Sequence, residues 1–468
     1  MTSIDILPDD VLLAIFDFCD DEFQISTKQW QSLVHVCYRW RSIVFGSPRR
    51  LSLRLLITEK TPVRDILDIW PPLPLVIQGG LTESVDFSNI VAVLKHRDRV
   101  DEIRLWQVNS SALENVLAVM QEPFSELTYL RLESFDEIDE TVPVVPDSFL
   151  GRSAPRLRTL VLYHIPFPGL PNLLLSATHL VTLYVLNMPH SGYISPASMV
   201  TTLSTLTTLE SLRLEFQSPR SHPDQAIRLL LPSTRAVLPA LTFFSFKGVC
   251  EYLDDFVARI YAPRLHDLSI TFFNQIVFDS PQLIQFISRT PTLKALETGH
   301  VVFEDCAAKI NLSSQTSVYG SLEVRISCRE FDWQVSSLEQ VCTLCLPPLS
   351  ALEDLSIYDH KLSYPRSEDN IENTLWLELL RPFTAVRKLY LSKEFARHIV
   401  PAFQELVEGR TTEVLPMLQN IFLATLQPSE PVPEGIQQFV AMRQVTGHSI
   451  AVSDWGRDRV FDISLSNG

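Results

Sequence analysis

Apolar and polar positions recur along most of the chain as one short phrase: an apolar residue, two variable residues, an apolar residue, one variable residue and a last apolar residue. The copies read Val100-Asp-Glu-Ile-Arg-Leu105, Leu127-Thr-Tyr-Leu-Arg-Leu132, Leu157-Arg-Thr-Leu-Val-Leu162, Leu180-Val-Thr-Leu-Tyr-Val185, Leu209-Glu-Ser-Leu-Arg-Leu214, Leu241-Thr-Phe-Phe-Ser-Phe246 and Leu265-His-Asp-Leu-Ser-Ile270. Further copies start at Leu293, Leu352, Val386 and Leu418, with a weaker one at Leu322. The fourth and sixth positions lie two apart, so both face one side of a strand, while the first anchors the turn leading into it. Between phrases the apolar residues take helical spacing, as in Ala112, Val116, Leu117 and Met120. One short strand and one helix per unit follow, each burying its apolar side against the neighbouring units.

The phrase recurs every 23 to 34 residues. That period, about 29 on average, belongs to stacked repeats rather than to a closed domain. Leu51, Leu53 and Leu55, then Leu73, Leu75 and Ile77, read as two degenerate units before the first full copy. The array resembles the leucine-rich repeat family over about four-fifths of the chain. The resemblance implies an α/β solenoid, an irregular horseshoe of short parallel strands and helices covering residues 48–468 and closed by a carboxy-terminal cap. One departure is that Phe135, Ile165, Met188, Gln217, Val249 and Phe273 stand where that family usually places an Asn or Cys. The side-chain ladder that satisfies the turns cannot form there, and a locally variable arc is expected.

Residues 1–47 differ: they hold no copy of the phrase and show two helical patterns around Asp20-Asp21-Glu22. In the first, Pro8 suits the opening turn, Asp9 and Asp10 complement the helix dipole, and Val11, Leu12, Ile15 and Phe16 form a stripe. In the second, Trp30, Leu33, Cys37, Trp40 and Val44 recur at helical steps. So small a unit cannot bury that much apolar surface alone. Five side chains at about 2 kcal/mol each would give a partner on the order of 10 kcal/mol, enough to offset association costs.

Leu7-Pro8, Val11-Leu12, Ile15-Phe16 and Leu33-Val34-His35-Val36-Cys37-Tyr38-Arg39-Trp40-Arg41 together resemble an F-box. The resemblance implies a small all-α module whose Leu7, Pro8, Val11, Leu12, Ile15 and Phe16 face a Skp-type adaptor, with Trp40 in the helical core or the interface. Through the adaptor it implies a cullin-RING ubiquitin ligase, with the chain as non-catalytic substrate receptor. The alternative is a helical cap on the first repeat of a scaffold without a ligase role.

Composition narrows the remaining choices. With 55 acids against 39 bases the net charge is −16, which argues against a nucleic-acid-binding protein. Seven scattered Cys point to reduced thiols in the cytoplasm or nucleus. Residues 1–20 lack the basic start of a secretory signal, and Pro and His interrupt the uncharged stretch after Thr159, so no membrane segment is expected. Cys342-x-x-Cys345 has metal-ligand spacing but no second pair, and reads as core. The acids at 133, 136, 137, 139 and 140 read as a solvated loop. No catalytic motif, metal set or cofactor site can be read. The candidate ligand surface is therefore the set of variable positions within the phrases: Glu102, Arg104 and Trp106; Tyr129, Arg131 and Glu133; Thr159, Val161 and Tyr163; Thr182 and Tyr184; Arg213 and Glu215; Asp267 and Ser269; Asp354 and Tyr358; Lys388 and Tyr390. Arg104, Trp106, Tyr129, Arg131, Tyr163, Tyr184, Arg213, Tyr358 and Tyr390 are the residue types favoured at interface hot spots and are the expected protein-substrate contacts.

Overall fold

The structure is a computed structural model describing residues 6–17, 28–47, 53–58, 60–61, 63–80, 88–135, 142–219, 235–275, 277–294, 296–314, 320–359, 372–407, 413–424 and 432–455. Leu51 and most of the acidic stretch after Glu133 lie outside them. Two compact units divide the chain between Tyr193 and Ile194, inside the repeat array.

The first unit begins with three short helices, α1 (Asp9–Asp17), α2 (Lys28–Val34) and α3 (Tyr38–Gly46). Strands and helices then alternate: β1 (Leu55–Ile57), α4 (Val63–Ile69), β2 (Leu75–Gly80), α5 (Ser88–Leu94), β3 (Val100–Val108), α6 (Ser110–Val119), β4 (Tyr129–Ser134), β5 (Thr159–Tyr163), α7 (Leu170–Leu174) and β6 (Thr182–Met188). The six strands pair in chain order, all parallel. The two degenerate repeats are thus real strands, with Ile57 opposite Ile77 and Ile77 opposite Ile103.

Register shows why the phrase builds this sheet. Fourth positions Ile103, Leu130, Leu160 and Leu183 align across β3 to β6, as do sixth positions Leu105, Leu132, Leu162 and Val185. All eight are buried. The first position is an anchor: the N–H of Leu127, Leu157 and Leu180 donates to the carbonyl three residues earlier, on Phe124, Ala154 and Ala177. The missing Asn ladder is replaced by backbone geometry. Gln107, His164 and Asn187 adopt φ of 55°, 56° and 51°, the left-handed region that an L residue enters at a cost of about 1–2 kcal/mol. Each twist drives the next residue, Val108, Ile165 or Met188, into the core, and that burial offsets the strain. His164 N–H also donates to Leu186 O at 2.9 Å.

The second unit contains α8 (Pro196–Leu203), β7 (Ser211–Phe216), β8 (Ala236–Val237), β9 (Phe243–Gly248), α9 (Cys250–Ala258), β10 (Ile260–Tyr261), β11 (Asp267–Phe273), α10 (Pro281–Arg289), β12 (Thr298–Glu304), β13 (Ala307–Ser313), β14 (Ser321–Ser327), α11 (Phe331–Leu344), β15 (Asp354–Asp359), α12 (Asn373–Leu380), β16 (Lys388–Leu391), α13 (Lys393–Val407), β17 (Asn420–Ala424), α14 (Glu434–Val445) and β18 (Ala451–Trp455). Its main sheet runs β7-β9-β11-β14-β13-β12-β15-β16-β17-β18, while β8 and β10 form a separate parallel pair.

Here the all-parallel expectation fails at one place. After α10 the chain skips two strand positions to lay down β12, returns antiparallel as β13, and only then fills the place beside β11 with β14. Two phrase positions shift accordingly. Thr298 pairs with Asp354, the third position of its copy, so the unit starts at Leu296 rather than Leu293, with Gly299 at the fourth position. A Gly there hid the copy: a Cβ would lie 3.0 Å from a Leu352 methyl. Likewise Leu322 pairs with Leu268, a fourth position, and is not a start.

Buried and half-buried arginines on later helices or turns hold carbonyls of the preceding unit. Arg99 donates to Leu73 O (3.1 Å), Arg289 to Val257 O and Ile260 O (2.5 and 2.8 Å) and Arg443 to Leu415 O. None of the three forms an ion pair among the described residues. Burial lowers all three pKa values, and for Arg289, with Arg235 also nearby, to about 10. These guanidiniums supply to turn carbonyls the donors that a ladder residue would have supplied.

Candidate functional site

Helix α1 is apolar on two sides. Leu12, Leu13 and Phe16 face inward at 0, 7 and 2% exposure, whereas Val11 and Ile15 are 42 and 40% exposed and Ile6 is 75% exposed. Pro8 is exposed and Leu7 half-buried. The six residues expected to face a partner are thereby divided. Leu12 and Phe16 belong to the module's own core, because i and i+4 residues share one helix face and that face meets α3. The Phe16 ring lies 4.8 Å from Trp40, so half-buried Trp40 also serves that packing.

Two features of this module escaped the sequence pattern. The second helical stretch is broken at His35 to Cys37, where Cys37 caps α3 by accepting from Trp40 N at 3.5 Å through its sulfur. Arg39 grips Asp9 Oδ1 at 2.6 Å and donates to Leu7 O at 2.6 Å, so the Leu7-Pro8 opening is pinned to α3. On another side, His35 and Phe45 contact Trp70 at 6.0 and 6.1 Å between rings, joining the module to the end of α4.

The second surface is the outward face of β2 to β6, formed by residues alternating with the buried rows. Register places Glu102, Tyr129, Thr159 and Thr182 in one row, and Gln78, Arg104, Arg131, Val161 and Tyr184 in the next. Glu133, Tyr163 and Leu186 lie in a third row, and Trp106 stands beside Gly80. Six expected contacts, Arg104, Trp106, Tyr129, Arg131, Tyr163 and Tyr184, thus share one face. Val161, on the same face, is only 6% exposed and contributes packing. Phe135, 53% exposed, continues the alternation of β4 outward, and was read from the sequence only as a ladder position, not as a contact.

This face is held in shape by its own charges. Glu102 accepts from Arg104 (2.7 Å) and from Arg54, and Arg131 pairs with Glu133 at 2.5 Å. The Arg104 guanidinium lies 4.4 Å from the centre of the Tyr129 ring. Gly80 is required beneath Trp106: a Cβ would meet the indole Nε1 at 1.9 Å. We expect Gly80→Ala to displace Trp106 at a cost of about 1–3 kcal/mol. The readouts are a shift of the Trp106 indole N–H resonance and a lower urea midpoint; an unmoved resonance contradicts the contact.

In the second unit the expected contacts are more scattered. Arg213 lies 5.1 Å over the Phe243 ring. Glu215, two residues on, has its pKa raised by burial against the opposing pull of Lys247 and Arg213. Tyr358 is half-buried near His300 (6.5 Å), with its pKa raised by burial and by Glu304. Tyr390 is corrected: it is 8% exposed and stacked on Phe422 at 4.5 Å with Trp455 at 5.4 Å, so neighbouring strands cover it. The antiparallel strand brings in residues outside any phrase, with Lys309 and Arg325 both on Glu304 at 2.9 and 2.7 Å. Burial lowers the pKa of His300, favouring its neutral form.

Cys342 and Cys345 are 2 and 1% exposed, and burial pushes both thiols up, Cys345 to about 12. No group of three His, Cys, Asp or Glu that could hold a metal ion occurs among the described residues. No helix among them is long and apolar enough to cross a membrane.

No protein-family model and no curated protein sequence matches the chain. Among solved structures, the leucine-rich repeat-containing protein LegL7 from Legionella pneumophila is 12% identical, over 84% of this chain and 98% of that one, with a TM-score of 0.27. A likeness at that level carries no functional inference. The leucine-rich-repeat-like fold rests on the phrase and its strand register in the chain itself.

Proposed function

We propose that the chain is a non-catalytic receptor of a Skp-cullin-F-box ubiquitin ligase. In this reading α1 to α3 dock a Skp-type adaptor and the outward sheet faces hold a protein substrate, so that other subunits transfer ubiquitin to a tethered target. The observation that carries it is the outer side of α1, where Val11 and Ile15, with Ile6 just before the helix, are exposed although Leu12 and Phe16 already fill the module's core. A helix needing only to seal its own fold has no use for a second apolar side. The test is co-purification of the full chain with a recombinant Skp-type adaptor, with Val11 and Ile15 replaced.

A second reading, a scaffold whose helices merely cap the first repeat, is favoured by the contacts of His35 and Phe45 with Trp70. Deleting residues 1–47 separates the two readings. An appended module leaves the remaining array folded and monodisperse, whereas loss of a cap exposes the first repeat and aggregates it.

A further inference from the structure

We propose that the outward face of β3 to β6 binds an extended segment of a partner protein in which an acidic side chain and an apolar one stand two residues apart. The proposal rests on the reading of this face as the receptor's ligand surface and names what that surface recognises.

Arg104 and Arg131 are direct register partners on adjacent parallel strands. Their Cα atoms are therefore about 4.8 Å apart, and like charges so placed repel unless something anionic attends them. Within the chain that role falls to Glu102 and Glu133, yet in every ion pair on this face the cation is the outer member. Arg104 is 29% exposed over Glu102 at 10%, Arg131 45% over Glu133 at 21%, and Arg54 38% over the same Glu102. An approaching chain meets guanidinium, not carboxylate. A basic segment would have to displace the arginines to reach the acids, whereas an acidic one meets the 45% exposed guanidinium of Arg131 directly.

Long-range charge opposes this preference, since the whole chain carries −16. Screening over about 8 Å at physiological salt leaves the decision to the groups in contact. The apolar requirement comes from the next row. Trp106 lies two residues beyond Arg104, and Tyr163 (40% exposed) is the register partner of Glu133, two residues beyond Arg131. Alternate residues of an extended segment are about 6.6–6.8 Å apart, the same spacing as these rows when the segment lies along the strands. A carboxylate on an arginine then places the side chain two residues away against Trp106 or Tyr163.

The experiment is selection of random dodecapeptides displayed on phage against the immobilised full chain, followed by titration of one enriched synthetic peptide. Enrichment of Asp or Glu two residues from Phe, Leu, Tyr or Trp is expected. Arg104→Gln with Arg131→Gln should weaken the peptide by roughly tenfold or more, as expected for hydrogen bonds to charged groups. Tyr163→Ala, which changes no charge, should also weaken it, and Arg381→Gln, exposed on α12, should not. Circular dichroism melts confirm that each variant is folded. Selection of basic or uncharged peptides, no selection, or a peptide indifferent to Arg104, Arg131 and Tyr163 overturns the proposal. Adaptor capture is scored separately on the same protein. Its failure with peptide selection intact removes the ligase reading and leaves this one standing.

Discussion

Replacing Val11 and Ile15 together by Asp should abolish the proposed capture of a Skp-type adaptor and leave the circular dichroism unchanged and the stability from urea unfolding within about 0.5 kcal/mol of wild type, as for surface substitutions generally. Both side chains are two-fifths exposed, so the carboxylates remain in water in the free protein. In a complex they would be desolvated without partners, at a cost of several kcal/mol on top of the lost apolar burial. Association already costs at least about 4 kcal/mol, so the remaining contacts cannot hold the adaptor. Leu12→Asp is the contrasting control: it charges a fully buried site and should unfold the module. Adaptor retained by the Val11→Asp/Ile15→Asp chain would place the interface elsewhere and bring the cap reading forward.

Sequence pattern reached the repeat core because each phrase states its chemistry locally. Two apolar residues two apart, preceded by an anchor, suffice to determine which side chains enter the sheet, and Leu130, Leu160 and Leu183 are all where the phrase puts them. The outward face of the first unit was legible for the same reason, since its residues are what remains. The pattern failed where local chemistry does not encode order. Nothing in Ala307 to Ser313, itself a regular apolar alternation, says that this strand runs antiparallel between the strand before it and the strand after it. The exposed Tyr390 expected from its variable position is buried because Phe422 and Trp455 lie on strands 32 and 65 residues further on. On α1, helical periodicity identified the apolar residues but not that they occupy two sides. That distinction depends on where α3 sits, which Arg39 and Asp9 help to set.

Trp376→Ala should be the most destabilising single truncation among the aromatic residues of the second unit, because the reordering of its strands leaves a junction that this side chain fills. With β12 laid down two positions ahead of β14, α11 must return across β13 and β14 before β15 can form. Phe303 of β12, Phe331 at the start of α11, and Phe395 and His398 of α13 all converge on Trp376, with ring centres at 6.1, 6.0, 5.1 and 6.4 Å. The indole is 1% exposed. Truncation leaves a cavity that four rings on three other elements cannot close without losing their own contacts, and a cost of about 3–5 kcal/mol follows. Trp376→Phe keeps an aromatic surface and should cost less than half of that. Trp333, 46% exposed on the same helix as Phe331, should cost under about 1 kcal/mol when replaced by Ala. Urea unfolding supplies the magnitudes, and hydrogen exchange locates them. Protection should fall first in β12, α11 and α12, while β3 to β6 keep theirs, because repeat arrays couple mainly through neighbouring units. Equal loss of protection in both units would show one cooperative body instead, and a Trp376→Ala cost no larger than that of Trp333→Ala would contradict the packing of the junction.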